Sequence, residues 1–506
     1  MRRGNRTSSR ACYYVGFVGV IAFFVILNVY ITLQYYRTSS GDRRPTSAPP
    51  TVSPTPVHHA TAVPTTVATP PHTTPPPATE VQRPTETEEP QFYHVDATAW
   101  PYDSMEDMIK KTIPKKYWTA INEDTAGEEK AAVLKQRTGC DIMQVPFDPT
   151  NDKRCIDYLT DTSNWQELKP LPQKFDERTI KFTVNFKSID GASPLASVLK
   201  VPQKLFQNEA FSETASYHAD RVLQINRIPP TGWVCIPTTM IHAAVDKYGP
   251  TLETVDEFLK ESRAKNYGDW VDIDLFRFAK DTGLVRTKDG VECIGASIQL
   301  FMADVHHLLD SHLKIPYIPH NASWMRHFDF NEKDGPDFQT ERWAVSMVHL
   351  AEISMFDFII GNPDRSPNKN NFVVGGCKRY CPKSYRLHHP GHPTYIHLDQ
   401  GMGFYGSPSN NAITKARTHA KLGKGKNEMC LFRAPLANRV KYLLSPSGNE
   451  EVGTLFVAEM QKRLESDVME QVQVRRLKGA VDRMKKLLGV IDGCRKASFR
   501  KYVIAP

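Results

Sequence analysis

The first ninety residues limit the fold most, because they offer nothing to a hydrophobic core. Ala11 to Leu33 carries no charge and includes the run VGFVGVIAFFVILNVYITL. About 20 apolar residues in a helix cross the hydrocarbon of a bilayer. The ten residues before the run hold Arg2, Arg3, Arg6 and Arg10 and no acid, which favours a cytoplasmic N-terminus. Arg37, Arg43 and Arg44 follow the run and weaken that asymmetry, but large domains translocate largely regardless of loop charge. No A-x-A-like cleavage site is evident. The reading is a type II single-pass anchor, with a cleaved leader as the alternative.

Residues 41 to 90 hold 13 Pro and 12 Thr in 50 positions. Such a segment buries nothing and stays extended, and Thr with Pro reads as an O-glycosylated stalk. The expected organisation is a cytoplasmic tail over 1–10, an anchor over 11–33, a Pro/Thr-rich stalk over 34–90 and a lumenal head over 91–506. Anchor, stalk and head in that order suit a Golgi membrane protein. A cell-surface protein looks the same at this level, and stalk cleavage would release a secreted head.

The net charge of +8 is spread along the chain, so nucleic acid is not an expected partner. Nine cysteines are present. Cys12 lies in the apolar run, and the other eight fall in the head. An even lumenal set suggests four disulfides, although eight cysteines allow 105 pairings. Asn321-Ala-Ser is the lumenal N-glycosylation sequon. Asn5-Arg-Thr would be cytoplasmic and silent.

Within the head, residues 91 to 170 read as a helical and loop-rich lead-in, with SMEDMIKKTI and EEKAAVLKQR as short helices. TIKFTVNFKS, 179 to 188, alternates apolar and polar as a half-buried strand does. LASVLKV, 195 to 201, reads as its partner. FSETASYHADRVLQI, 211 to 225, has helical period, with Phe211, Ala215, His218, Val222 and Ile225 on one face, and RIPP stops it. The middle reads as mostly helical: TLETVDEFLKES, ASIQLFMADVHHLLDSH and ERWAVSMVHLAEISMFDFII. NNFVVGG and PTYIHLDQG read as strands around an insertion, and the last sixty residues as amphipathic helices. A strand-rich piece followed by a helix-rich piece is a two-lobed α+β arrangement.

Three positions carry candidate chemistry. Lys200 ends the strand SVLK, with Glu209 and Glu213 on the following helix. A strand Lys for nucleotide phosphates and a helical acid fit phosphoryl transfer. Asp364 falls just past an apolar helix, in DFIIGNPDRSPNKNNFVV, with Asn370 and Asn371 a few residues on. A carboxylate there can take the proton of an attacking hydroxyl, and an amide can help hold a metal. Asp399, in HLDQGMGF, sits at a strand end before two glycines and suits a divalent cation. Each is weak alone, since Lys200 by itself reads more readily as a solvated strand residue and the two loops read as ordinary turns.

The order of these residues, with the stretches SETASYHADRVLQINRIPP, DFIIGNPDR and HLDQGMGF, resembles the secretory-pathway kinases. That group includes the Golgi casein kinase, the xylosylkinase and four-jointed. CLFRAPLANRV, 430 to 440, looks closest to the four-jointed and Golgi-associated-kinase branch. The likeness spans roughly 180 to 440. It implies an atypical, disulfide-stabilised kinase-like fold with a smaller strand-rich N-lobe and a larger helical C-lobe. It implies ATP with Mn²⁺ or Mg²⁺, and transfer to a Ser/Thr or sugar hydroxyl on secreted or cell-surface proteins or proteoglycans. By the same resemblance Lys181 and Lys200 would contact nucleotide phosphates and Asp364 would be the catalytic Asp. Glu213, Asp399 and Asn371 would hold the metal, with Asn370 the second choice of amide. Two features depart from the pattern: Gln400 stands where an Asn is usual, and a long insertion separates Asp364 from Asp399. A third, the missing G-x-G-x-x-G loop, is shared with typical members of the group.

Two other functions compete. Asp272-Ile-Asp274 is an Asp-X-Asp of the kind that binds Mn²⁺ and a nucleotide sugar, as in Golgi glycosyltransferases. A catalytically inactive kinase-like binding protein would share the fold. His388, His389 and His392 lie in a Pro/Gly-rich loop without acids or cysteines at ligand spacing, so zinc is not expected. The basic stretch 414 to 426 could face an acidic protein or glycan, or simply be solvated.

Overall fold

The computed structural model describes residues 125–141, 148–171, 179–189, 195–252, 259–260, 262–302, 305–307, 344–365, 372–374, 394–409, 411, 413–414, 431–496 and 503–505. All of them belong to one unit, Glu80–Pro506. The predicted tail, anchor and stalk lie outside the described residues, among which no helix is long and apolar enough to cross a membrane.

Two helices lead in, α1 (Thr125–Thr138) and α2 (Pro149–Thr160). Asp148 caps α2, its side chain accepting from the Thr150 amide at 2.8 Å, and Pro149 opens the first turn. Both are favoured helix starts. A disulfide between Cys140 and Cys155 ties α2 to the end of α1.

The sheet begins with β1 (Trp165–Pro170), β2 (Lys181–Phe186) and β3 (Ala196–Lys200). On β2, Phe182, Val184 and Phe186 are fully buried, and the residues between them are half-buried. The strand read from alternation and the one read as its partner are both strands, and they pair. Helix α3 (Glu209–Val222) follows, then β4 (Thr231–Pro237) and α4 (Thr238–Tyr248). Next comes α5 (Tyr267–Val271), which continues as a π-helical stretch over Asp272–Arg277. A hairpin of β5 (Val285–Lys288) and β6 (Val291–Leu300) completes the sheet. The order is β1-β2-β3-β6-β4, with β5 also on β6, and every pairing is antiparallel. A second disulfide, Cys235 to Cys293, links β4 to β6. The other head cysteines lie outside the residues whose side chains are described.

The structure corrects the helix expected over ASIQLFMADVHHLLDSH. Its first part is β6, and β7 (Val305–His307) follows. Residues 293–298 of β6 are all buried. A strand covered on both faces shows a continuous apolar run, which periodicity does not separate from a helix. Asp289-Gly290 joins β5 to β6 with φ of 51° and 78°, a two-residue hairpin signal. The lead-in is corrected too, since Trp165–Pro170 is strand β1 and not loop or helix. SMEDMIKKTI lies outside the described residues, as does most of TLETVDEFLKES.

The helical part starts with α6 (Ala344–Ile360), which stops at Gly361 with φ of 78°, the left-handed conformation that glycine adopts without strain. Strands β8 (Phe372–Val374) and β9 (Thr394–Ile396) form a small sheet with β7. Then come β10 (Leu431–Arg433), α7 (Ala434–Leu443), α8 (Leu455–Arg463), α9 (Ser466–Lys496) and β11 (Val503–Ala505). The described residues bury two hydrophobic cores. One lies under the large sheet, around Phe182, Phe186, Leu199 and Ile298. The other joins α3 and α6 to the C-terminal helices, around Phe356, Phe432, Phe456 and Met484. Every residue of α3 except His218 is buried, as expected of a helix covered on all sides. Its polar side chains therefore need partners inside the protein.

Candidate active site

Lys181 on β2 and Lys200 on β3 are direct Cα partners, so their side chains leave the same face of the sheet. Glu209 and Glu213 are one helical turn apart on α3 and share a face. Their carboxylates meet Lys200. Its Nζ lies 2.5 Å from Glu213 Oε1 and 2.8 Å from Glu209 Oε1. Asp399, three residues past β9, completes the cluster at 3.3 Å from the same Nζ.

The loop that carries Asp399 is fastened to α3. The Gln400 amide donates to Glu213 Oε2 at 3.1 Å. The Ser212 hydroxyl lies 2.5 Å from the Gln400 carbonyl and 2.7 Å from that of Gly403. A Cβ at Gly401 would stand 2.5 Å from Glu209 Cγ, and one at Gly403 would stand 2.7 Å from Ser216 Oγ. Both glycines are needed for this close approach. Asp399 itself has φ of +61°, an uncommon conformation for a residue with a side chain and one that clusters at functional sites.

Asp364 follows the turn at the end of α6. Its amide donates to Asn362 Oδ1 at 3.1 Å. Lys181, Glu209, Asp364 and Asp399 line one open cavity of about 770 Å³. The Asp399 side chain is 42% exposed there, while Glu213 is 3% exposed.

The charges are strongly interlocked. Lys200 holds the Asp399 carboxyl down at about 2, against the opposing effect of burial, with help from Lys181 and Arg365. Burial raises the Glu213 carboxyl, with Lys200 opposing and Asp399 adding to the rise. Burial works to lower the Lys200 ammonium, but Glu209, Glu213 and Asp399 outweigh it and keep it well above its ordinary value.

The cluster fits a divalent cation. Oxygens of Glu209, Glu213 and Asp399 lie within 4.8 Å of one another. Glu209 Oε2 is buried without a hydrogen-bond partner among the described residues. An all-oxygen carboxylate set is the donor chemistry of Mg²⁺ and Mn²⁺. The structure thus brings together Lys181, Lys200, Glu213, Asp364 and Asp399. It also draws in Glu209, the other candidate acid of that helix, at 2.8 Å from Lys200 Nζ. Asn371, Asn370, Asn321, His388, His389 and His392 lie outside the described residues, as does the basic stretch beyond Thr414.

The Asp-X-Asp pair does not form a site. Asp274 is buried, accepting from Ser262 Oγ at 2.6 Å and Trp270 Nε1 at 2.9 Å. Asp272 instead pairs with Arg277 at the surface.

The Asp220-Arg221 pair, in the stretch DRVLQINRIPP, is a brace. Arg221 binds both carboxylate oxygens of Asp152 on α2, at 2.8 and 3.0 Å. Asp220 accepts from Arg221 and from the amides of Arg227 and Ile228. Together they hold α3 between α2 and the loop that follows it.

No protein-family model matches the chain, and no curated protein matches it. Among solved structures, the chain is similar to a hydra Fam20 solved with sugar. Identity is 15% and the TM-score 0.44, over 73% of this chain and 97% of that one. It is also similar to the Golgi casein kinase with Mn and ADP bound, at 14% identity and a TM-score of 0.44, over 84% and 96% of the two chains. A further structure of the Golgi casein kinase matches at 13% identity, with the same TM-score and coverage.

Proposed function

We propose that the chain is an atypical, two-lobed secretory-pathway kinase. It would transfer the γ-phosphoryl group of ATP to a Ser/Thr or sugar hydroxyl on secreted or cell-surface proteins or proteoglycans. The observation that carries this reading is the placement of Lys200 among Glu209, Glu213 and Asp399, with Asp364 on the same cavity. The Golgi setting rests on the anchor and stalk read from the sequence.

Glu209, Glu213 and Asp399 would hold Mn²⁺ or Mg²⁺, which supplies charge neutralisation along the phosphates. Lys181 and Lys200 face one another across β2 and β3 and would bind phosphate oxygens. Asp364 would orient the acceptor hydroxyl and take its proton as the oxygen bonds to phosphorus and ADP leaves. Most of the rate gain would come from positioning and fixed charge. The engagement of Asp274 by Ser262 and Trp270, and of Asp272 by Arg277, speaks against the glycosyltransferase reading.

The test is thermal unfolding of the purified chain with ATP and Mn²⁺, with UDP-sugars and Mn²⁺, and with Mn²⁺ alone. The expected result is stabilisation by ATP with Mn²⁺ that is lost in Asp399→Ala. Stabilisation by a UDP-sugar instead would overturn the kinase reading. No response to either nucleotide would favour an inactive, partner-binding protein.

A further inference from the structure

Gln400 is fully buried between the loop that carries Asp364 and the loop that carries Asp399. Its Oε1 accepts from Arg365 Nη2 at 2.9 Å and from Asn362 Nδ2 at 3.2 Å. Its Nε2 donates to the Leu398 carbonyl at 3.3 Å, which Arg365 Nη2 also reaches at 3.0 Å. Asn362 in turn accepts the Asp364 amide. Arg365 and Asn362 are both anchored on Asp357 of α6, at 2.5 and 3.1 Å. The Gln400 main chain meanwhile binds Glu213 and Ser212 on α3.

One side chain thus closes a buried network that joins Asp357, Asn362 and Arg365 to the residue after Asp399. Its reach matters. An Asn at this position is one methylene shorter, and its amide would fall short of both donors. Each donor would keep its other acceptor, the Leu398 carbonyl for Arg365 Nη2 and Asp357 for Asn362 Nδ2, but the two bonds that tie them to residue 400 would be lost.

We propose that Gln400 is a positioning residue that fastens the Asp364 loop to the Asp399 loop, so that the two carboxylates are held as one unit. The value of such a link to phosphoryl transfer rests on the kinase reading, but the link itself does not.

The test is hydrogen exchange of the full chain without ligand, read at the Asp364 amide and at the Gly403 amide, which donates to the Gln400 carbonyl. Gln400→Leu removes the polar head while leaving the main-chain bonds. Gln400→Asn, a gentler change, serves if the Leu variant does not fold. Gln400→Glu keeps the acceptor oxygens for Arg365 and Asn362. Exchange should accelerate about tenfold or more at both amides in the Leu and Asn variants, the scale of one lost buried hydrogen bond. The Glu variant should stay close to wild type. Acceleration confined to one loop, or equal acceleration in all three variants, overturns the proposal. Mn²⁺ titration of the wild type is a separate arm. If no Mn²⁺ binds, the metal reading fails while the exchange result still decides the link.

Discussion

Lys181 and Lys200 stand directly opposite each other on neighbouring antiparallel strands. Like charges in that arrangement destabilise a sheet. Lys200 is compensated by three carboxylates, and Lys181 lines the cavity and helps to lower the Asp399 carboxyl. Lys181→Met should therefore weaken ATP–Mn²⁺ binding about tenfold or more and change folding stability by less than about 1 kcal/mol. Calorimetric titration beside a denaturation curve checks this. Nucleotide binding as tight as in the wild type would remove Lys181 from the phosphate site.

Lys200→Met should behave in the opposite way. It strands buried carboxylates, and breaking a buried ion pair from one side costs about 3–5 kcal/mol. The variant should unfold well below wild type in a chelator. Added Mn²⁺ should recover more stability in the variant than in the wild type, because the cation replaces the missing charge. A variant as stable as wild type in the chelator would show that Lys200 is not the counter-charge of the cluster.

Asp364 and Asp399 should separate kinetically. Asp364→Asn should leave ATP–Mn²⁺ binding intact and lower kcat by about 10²- to 10⁴-fold, the usual contribution of a positioned acid or base. Asp399→Asn should abolish the Mn²⁺-dependent component of nucleotide binding. If Asp364→Asn instead lost binding with kcat unchanged, Asp364 would belong to the nucleotide site.

Gly401→Ala tests how closely the Asp399 loop must approach α3. The new methyl group would meet Glu209 Cγ at 2.5 Å, and overpacking of this kind costs about 1–3 kcal/mol. Because Glu209 is what must move, Mn²⁺ affinity should fall along with the melting temperature. A loss of melting temperature with unchanged Mn²⁺ affinity would place Glu209 outside the metal set.

Much of this site was legible in the sequence, for local reasons. Strand β2 and helix α3 have clear periods, and Lys200, Asp364 and Asp399 lie at or just past element ends, where chemistry-bearing side chains stand out. Strand β6 was not legible by period, since burial on both faces erases alternation, yet its Asp289-Gly290 turn was a readable signal. The network around Gln400 was hidden for another reason. Asp357, Asn362, Arg365 and Gln400 are joined only by the fold, and nothing in their spacing shows that 365 and 400 touch. Asp357 offered a hint, as a carboxylate within the apolar run of α6 needs a buried partner. Gln400 looked like a departure from the Asn usual in the resembling group, and the structure shows what the longer side chain reaches.

Asp220 gives the fold a readable pH dependence. Burial pushes its carboxyl up to about 6, against the lowering effect of Arg221 and the Arg227 and Ile228 amides. The unfolded value is near 3.8. A folded carboxyl with a raised pKa contributes stability that is fully present below the unfolded value and is lost as pH rises through the folded one. Between pH 4 and 6.5, ionising Asp220 should therefore remove about 2 kcal/mol from the folded state, the slope approaching about 1.4 kcal/mol per pH unit between the two values. Asp220→Asn does not titrate. It gives up one acceptor oxygen for Arg221 and the two amides, so it should be the less stable chain near pH 4. Its deficit should shrink as pH rises toward 6.5. Denaturant midpoints of both chains at half-unit steps across this window measure the difference. A difference that stays constant, or that grows with pH, would mean that Asp220 is ionised in the fold throughout and that its Arg221 and main-chain bonds outweigh its burial.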